Sequence, residues 1–303
     1  VLENLFARDP LYSPVWANLE LSYNRLGQPQ RTEQLIERLR PLMGEHPLFT
    51  MVEANHLVVT GELADSLPLI EQAHAQAPEN RFISNAMNRA RFFLADYENT
   101  VAASNEGVWP LNLALLYLGR PEEAVISARA WLQKSSEPET LLQTLAHSGE
   151  FEELMELVDS RWDSLEQLER ESTFGLGFGQ WNLLHVAWAC RSLERDDCFA
   201  EAMQRVRAEH DRQIAAGIDW PIFWLMDAQY WMLAGDQDRA IDLLTKIADW
   251  PWVIAPRIAR MYPLFQPLEG DPRYEAIQSR LLDHLNGQRA KAGMPPIEPE
   301  YRS

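Results

Sequence analysis

The chain has 303 residues, of which 46% are hydrophobic, so it is long enough to bury a large core. It carries 45 acidic against 27 basic side chains, and a surface of that sign repels phosphate backbones, which argues against nucleic acid as a partner. No apolar run approaches the roughly 20 residues of a membrane span, and no signal-peptide pattern is present, so no membrane contact is expected from this segment.

The first element in chain order is a pair of amphipathic helices between Pro14 and Pro47. Trp16, Leu19 and Tyr23 are spaced three and four apart, so they share one helix face. After a turn at Gly27, a second apolar face is formed by Leu35, Ile36, Leu39 and Leu42. Neither short helix can bury its stripe alone, so the pattern predicts a hairpin that packs on a neighbouring hairpin.

Turn signals then recur at a spacing near the roughly 34 residues of a helical-hairpin repeat. Gly61 follows Gly27 by one such period, and Pro47 and Pro78 stand where one hairpin ends and the next begins. Further turns are expected at Ala95-Asp96, Gly119, Gly149 and Gly235. The sequence shows no convincing strand signal.

In these positions the chain resembles the tetratricopeptide repeat (TPR) family over most of its length. The small and large positions of the family's pattern are occupied in the second repeat by Ala54, Leu57, Gly61, Ser66, Ile70, Ala73 and Pro78, and in the seventh by Trp224, Ala228, Trp231, Gly235, Ala240, Leu244 and Ile247. Glu20 departs from the pattern, because the family usually has Gly there. The resemblance implies an all-α superhelical solenoid of six to seven helix-turn-helix repeats that closes with a C-terminal capping helix.

The period breaks near FGLGFGQ, at residues 174–180, and the stack is expected to divide there. We expect N-terminal TPR-like repeats over residues 1–163, an irregular junction over 164–180, C-terminal TPR-like repeats over 181–262, and a capping helix with a tail over 263–303. Asp271-Pro272 is a helix start. A terminal helix that covers the open end of a repeat stack is a physical requirement.

The phrase PLEGDPR, at Pro267 to Arg273, is similar to the ends of bacterial multidomain proteins that join TPR repeats to an adenylate cyclase, kinase or winged-helix domain. That similarity implies a regulatory module of a larger bacterial protein. Because the chain begins at Val1 rather than Met, we expect a fragment. A cytoplasmic location is expected, with a periplasmic one as the alternative if a preceding segment carries a membrane span.

No catalytic site, metal site or cofactor is expected from the sequence. The histidines form no HExxH or other close ligand pair, and His185, at helical spacing from Trp181 and Trp188, is expected to be a hydrogen-bonded core residue. The run G-x-G-x-G from Gly175 to Gly179 lacks a preceding strand and is expected to be a loop. Cys190 and Cys198 are expected to be free thiols, with a bridge across the helix turn as the alternative.

The inward faces of the first helices are the expected ligand surface, because ligands of the family usually lie there. The projected groove contains Leu21, Asn24, Arg25, Met51, Asn55, Phe93, Trp109, Leu113, Tyr117, Gln143, His147, Asn182 and Gln229, and its flanks add Val58, Ala86, Ala90, Leu116, Val186, Leu225 and Met232. Repeats that capture a C-terminal carboxylate use Lys, Asn and Arg at positions that here hold Ala17, Leu21, Val52, Ile83 and Met87. The resemblance therefore does not imply that this chain binds a C-terminal carboxylate.

An apolar groove of this kind is expected to bind a peptide or an amphipathic helix from a protein partner. Two alternatives remain open. In the first, the groove is covered by the chain's own tail or by a second copy in a homodimer, since large apolar patches rarely stay bare. In the second, the chain is a sensing domain whose irregular junction, around 174–181, holds a small molecule or peptide.

Overall fold

The computed structural model describes residues 1–104, 110–135, 137–171, 178–250 and 263–297, apart from the side chains of Arg25, Phe178 and Gly179. Within these ranges the chain forms seventeen α-helices and one 3-10 helix, and no residue is in a β-strand. The predicted all-α class is confirmed. The part of the predicted loop that precedes Phe178, at residues 174–177, lies outside the described residues.

The helices follow one another with short connections. Their bounds are α1 Leu2–Arg8, α2 Ser13–Arg25, α3 Pro29–Met43, α4 Pro47–Thr60, α5 Leu63–Gln76, α6 Arg81–Phe93, α7 Tyr97–Ala103, α8 Leu111–Tyr117, α9 Pro121–Ser135, α10 Glu139–Ser148, α11 Phe151–Arg161, α12 Leu165–Glu171, α13 Phe178–Ser192, α14 Asp196–Ala215, α15 Pro221–Ala234, α16 Gln237–Ala248, the 3-10 helix Pro263–Leu268 and α17 Pro272–Lys291.

In the described ranges, seven helical hairpins stack into a solenoid. They are α2/α3, α4/α5, α6/α7, α8/α9, α10/α11, α13/α14 and α15/α16, and each pair is in direct contact. The first helices of neighbouring hairpins are also in contact. These contacts join α2 with α4, α8 with α10, and α13 with α15. The extra helix α12 packs on α13, so residues 165–171 of the expected junction are helical. The predicted TPR-like solenoid is confirmed.

The turns lie where the sequence places them. α4, α10 and α15 end at Gly61, Gly149 and Gly235, whose backbones are in the left-handed region. Glycine adopts this conformation at little energetic cost because it has no Cβ. In the third and sixth hairpins the equivalent position is held by non-glycine residues, Ala95 with φ 53° and Glu194 with φ 55°.

Cys190 and Cys198 form a disulfide, so the favoured prediction of two free thiols is wrong. Cys190 is near the end of α13 and Cys198 is in the first turn of α14. The tight turn between these antiparallel helices brings the two Cα atoms to 5.9 Å, within the range that a bridge requires. The alternative of a bridge across the turn is therefore the one observed.

The apolar core joins distant parts of the chain. Val58, Phe93 and Leu113 belong to the same buried cluster as Trp224 and Phe265, although more than a hundred residues separate the two groups in sequence. One continuous buried cluster thus extends from α4, α6 and α8 to the C-terminal end of the chain. The C-terminal end reaches the second and third hairpins at the turns between their helices, where Gln288 and Arg289 bond to the main chain of Ala64 and Leu94.

The predicted capping helix α17 packs on α16, the last helix of the last hairpin, and also on α5 near the other end of the stack. A second closing contact lies at the turn of the first hairpin, where Gly27 comes against the main-chain carbonyl of Asp219. A Cβ at residue 27 would be 2.2 Å from that oxygen.

We expect Trp16→Ala to lower the free energy of unfolding by about 3–5 kcal/mol, as for other large core truncations. Trp16 is fully buried in the N-terminal core. Trp231, expected from sequence to be a core position as well, is partly exposed and carries the Arg239 guanidinium 4.2 Å above its ring. Trp231→Ala is therefore the matched control and should cost clearly less. Urea denaturation checks both, and equal losses would contradict the assignment.

Gly27→Ala should destabilise the chain by about 1–3 kcal/mol more than Gly119→Ala, because overpacking forces the backbone to shift. The two glycines have φ values of 67° and 71°, so both substitutions carry the same left-handed strain. Only residue 27 faces another main chain, whereas nothing lies within 4 Å of a Cβ at residue 119. Thermal and urea denaturation of both variants measure the difference, and equal effects would show that the first turn does not contact Asp219.

Candidate interaction site

The predicted groove residues lie on first helices, but most of them point into packed surroundings. The side chains that the structure buries are Asn24, Met51, Asn55, Phe93, Leu113, Tyr117, Asn182 and Gln229. Gln143 and His147 are partly exposed, and Leu21 is 41% exposed. The Arg25 side chain and Trp109 lie outside the described residues. The surface that remains accessible on the concave side is therefore smaller than the projection implies.

A buried polar network lies on the inward side of the first three hairpins. The Asn24 amide donates to Glu20 Oε1 at 2.6 Å and accepts from the Thr32 hydroxyl at 2.9 Å. On the next two hairpins Arg89 donates to Asn55 Oδ1 at 2.5 Å. These bonds explain why amide side chains can sit at buried positions, since each replaces the hydrogen bonds of water.

Burial raises the pKa of Glu20 to about 7, against the opposing influence of the Arg89 charge and the Asn24 hydrogen bond. Burial also lowers the pKa of Arg89, an effect that the Glu20 carboxylate opposes. The sequence contained one signal for this pair, because Glu20 occupies a position where the family usually has Gly. Its link to Arg89 was not predicted, as the two residues lie on different hairpins.

An open cleft of about 370 Å³ lies between α8 and α10, next to the 3-10 helix. Three predicted groove residues, Leu113, Tyr117 and His147, meet in it. The remaining lining residues are Leu116, Gly119, Pro121, Ser148 and Pro263. Among the described residues, the cleft thus combines apolar side chains with hydroxyl and imidazole residues, and no Lys, Arg, Asp or Glu lines it.

The imidazole in this cleft is neutral at physiological pH. Burial lowers the pKa of His147 to about 3. Its ring meets the His185 ring edge-on, with 5.5 Å between centroids. Burial, with a smaller contribution from His147, also lowers the pKa of His185, and the Trp181 indole N–H donates to His185 Nε2 at 3.0 Å. His185 is thus a hydrogen-bonded core residue, as predicted.

A second cleft, of about 470 Å³, lies among α14, α15 and α16, and sequence reasoning missed it. Its charged groups are largely paired within the chain. His210 Nδ1 contacts the buried Asp227 carboxylate, and Lys246 bonds to Asp219 at 3.0 Å and lies 3.6 Å from the Trp224 ring centroid. Because these pairs already satisfy one another, this cleft makes a weaker ligand site than the uncharged one.

In the described part of the chain, no three His, Cys, Asp or Glu side chains are grouped so that they could hold a metal ion. None of the described helices combines the length and apolar character needed to cross a membrane.

No protein-family model matches the chain, and no curated protein matches it. Among solved structures it is similar to a chain in the crystal structure of the APC/C hetero-tetramer Cut9-Hcn1, with 12% sequence identity and a TM-score of 0.48. The match covers 93% of this chain and 51% of that chain, so this chain spans about half the length of the neighbour. A likeness at this level carries no information about partners or ligands.

The raised pKa of Glu20 predicts a pH dependence of stability. Above about pH 4.5 the unfolded chain loses this proton while the folded chain keeps it up to about pH 7, so stability falls as the pH rises between these values. The loss should be about 2–4 kcal/mol. Glu20→Gln, which cannot titrate, should lack this part of the loss. Urea denaturation of both proteins at about pH 4.5 and 8 measures the difference, and identical pH profiles would contradict it.

Proposed function

We propose that the chain is a protein-interaction module that binds a short, uncharged, apolar peptide segment in the cleft between α8 and α10. One observation carries the proposal. Leu113, Tyr117 and His147, on two neighbouring first helices, line one open cleft together with the partly exposed Leu116. Elsewhere most of the projected groove is buried.

The size and chemistry of the cleft support a peptide of this class. A volume of about 370 Å³ is within the range of ligand pockets and suits one or two side chains of a bound segment. Leu116, Pro121 and Pro263 offer partly or fully exposed apolar contact surface in this cleft. A charged side chain would lose its hydration here without gaining a counter-ion.

The same chemistry argues against catalysis at this position. His147 and Ser148 are consecutive residues of α10, and neighbouring residues of a helix do not face each other. A serine nucleophile paired with a histidine base needs the two side chains within hydrogen-bond distance. The proposed role is therefore binding, as the scaffold or regulatory part of a larger bacterial protein.

The disulfide bears on the compartment. Disulfides persist in oxidising surroundings and are rare in the cytosol, so the Cys190–Cys198 bond favours the periplasmic alternative over the cytoplasmic one. To test this assignment, the periplasmic and cytoplasmic fractions of cells are collected under acid quench. The free thiols of the chain in each fraction are then labelled and compared.

Leu116→Arg should weaken peptide binding, because it places an uncompensated charge in the cleft. Leu116 is only partly buried, so the chain should still fold. Ile126→Arg is the matched control, since Ile126 is 64% exposed on α9 and does not line the cleft. Hexapeptides without charged residues, displayed on phage, provide the ligands.

The best selected peptide, synthesised and labelled, should bind the native chain and the Ile126→Arg variant equally in fluorescence anisotropy. It should bind the Leu116→Arg variant at least about tenfold more weakly, a difference of about 1.4 kcal/mol. Equal binding to all three proteins, or a selection that enriches no peptide, would overturn the proposal.

A further inference from the structure

The cleft among α14, α15 and α16 lies on the side of α15 that faces away from the projected groove. Trp224, Asp227 and Trp231 line the cleft, and their spacing of three and four residues puts them on one face of α15. The projected groove positions Leu225 and Gln229 are on the opposite face of the same helix. The cleft is therefore a surface separate from that groove.

The cleft lies where the sixth and seventh hairpins meet. In the described part of the chain, α14 packs less closely on α15 than any other second helix packs on the first helix that follows it. A space of about 470 Å³ remains among α14, α15 and α16. A volume of this size suits a small organic molecule.

Two guanidinium groups line one end of the cleft from opposite walls. Arg207 is on α14 and Arg239 is on α16. Short turns join α14, α15 and α16, so the three helices alternate in direction, and residues equally far from a turn lie at the same height. Arg207 thus lies at the height of Trp231, whose ring carries the Arg239 guanidinium 4.2 Å from its centroid.

Both guanidinium groups are accessible to a ligand. The side chains of Arg207 and Arg239 are 46% and 59% exposed. Their carboxylate partners, Asp211 and Asp236, do not line the cleft. Exposed ion pairs of this kind contribute little to stability, so a bound anion can share or replace them at small cost.

A third polar group at this end of the cleft is a histidine with one unpaired nitrogen. His210 follows Arg207 by three residues on α14, and its Nδ1 contacts the carboxylate of Asp227, a residue that is 9% exposed. Among the described residues no group bonds to His210 Nε2, and the ring lines the cleft. Asp227 therefore orients the ring and leaves Nε2 free for a ligand.

Next to these polar groups the walls of the cleft are apolar and accessible. Ile214 follows His210 by one turn of α14 and is 61% exposed. Ile218 and Leu243, which also line the cleft, are partly exposed. A ligand that matches both the basic end and the apolar wall carries a negative charge on an apolar body.

We propose that this cleft binds a small organic acid. Its carboxylate is held between Arg207 and Arg239, with His210 Nε2 as a further partner, and its apolar body packs on Ile214 and Leu243. The ion pairs already present make the cleft a poor site for a neutral ligand, so the ionised acid is preferred over its amide. This proposal is independent of the peptide cleft between α8 and α10.

The test uses phenylacetate, with phenylacetamide and phenethylamine as neutral and cationic analogues of similar shape. NMR titration of the isotope-labelled chain follows the indole N–H signal of Trp231, which is identified by its absence from Trp231→Phe. Phenylacetate should shift this signal and bind at least about tenfold more tightly than either analogue, because only its charge can be paired by the guanidinium groups.

Arg207→Gln combined with Arg239→Gln should weaken phenylacetate binding at least about tenfold. Arg40→Gln combined with Arg280→Gln is the matched control, because it changes the net charge equally and the ion pairs of these exposed arginines lie elsewhere. The control should bind phenylacetate as the native chain does. Equal weakening in both variants, equal affinity for acid and amide, or no shift of the Trp231 signal would overturn the proposal.

Asp242→Asn gives a test that misfolding cannot imitate, because it predicts tighter binding. Asp242 is an exposed residue of α16 that lines the cleft, and in the described part of the chain it has no ion-pair partner. Removal of its charge should strengthen phenylacetate binding about two- to fivefold, because like charges repel. The affinity for phenylacetamide should not change. Unchanged or weaker binding of phenylacetate would contradict the assignment of the cleft to an acid.

Discussion

The structure depends on one buried apolar cluster that the early hairpins share with the C-terminal end of the chain. Val58, Phe93 and Tyr117 belong to this cluster together with Trp224, Phe265 and Ile277. An apolar surface of this kind rarely stays uncovered, so the early hairpins need the C-terminal end to complete their core. The expectation of a capping helix describes only half of this arrangement, because α17 packs on the last hairpin and also on α5 of the second.

Polar side chains of the first helices occupy different kinds of surroundings. Glu20 and Asn24 are hydrogen-bonded to each other within the stack, whereas His147 lines the open cleft between α8 and α10. Sequence spacing alone assigns both kinds to the same groove.

The helices and their turns could be predicted from sequence because the signals are local. Trp16, Leu19 and Tyr23 mark a helix face by spacing, and Gly61, Gly149 and Gly235 mark turns by the backbone conformation that they permit. The bond between Ala64 and Gln288 could not be predicted, because it spans 224 residues and depends on the summed rotation of every intervening hairpin. The cleft among α14, α15 and α16 was missed for a related reason, since Trp224 and Trp231 both fit core positions. The disulfide was predicted only as an alternative, because thiol spacing does not determine how close a turn brings two Cα atoms.

The contact between Arg289 and Leu94 has a consequence for the time course of folding. Open repeat stacks fold from neighbour to neighbour, so each hairpin can settle as it is synthesised. Here the early hairpins cannot complete their inner packing until residue 289 has left the ribosome, which at about 5–20 residues per second takes tens of seconds after the first hairpin emerges. During that interval the apolar side chains that α4 and α6 contribute to the core are exposed, and chaperones bind exposed surfaces of this kind.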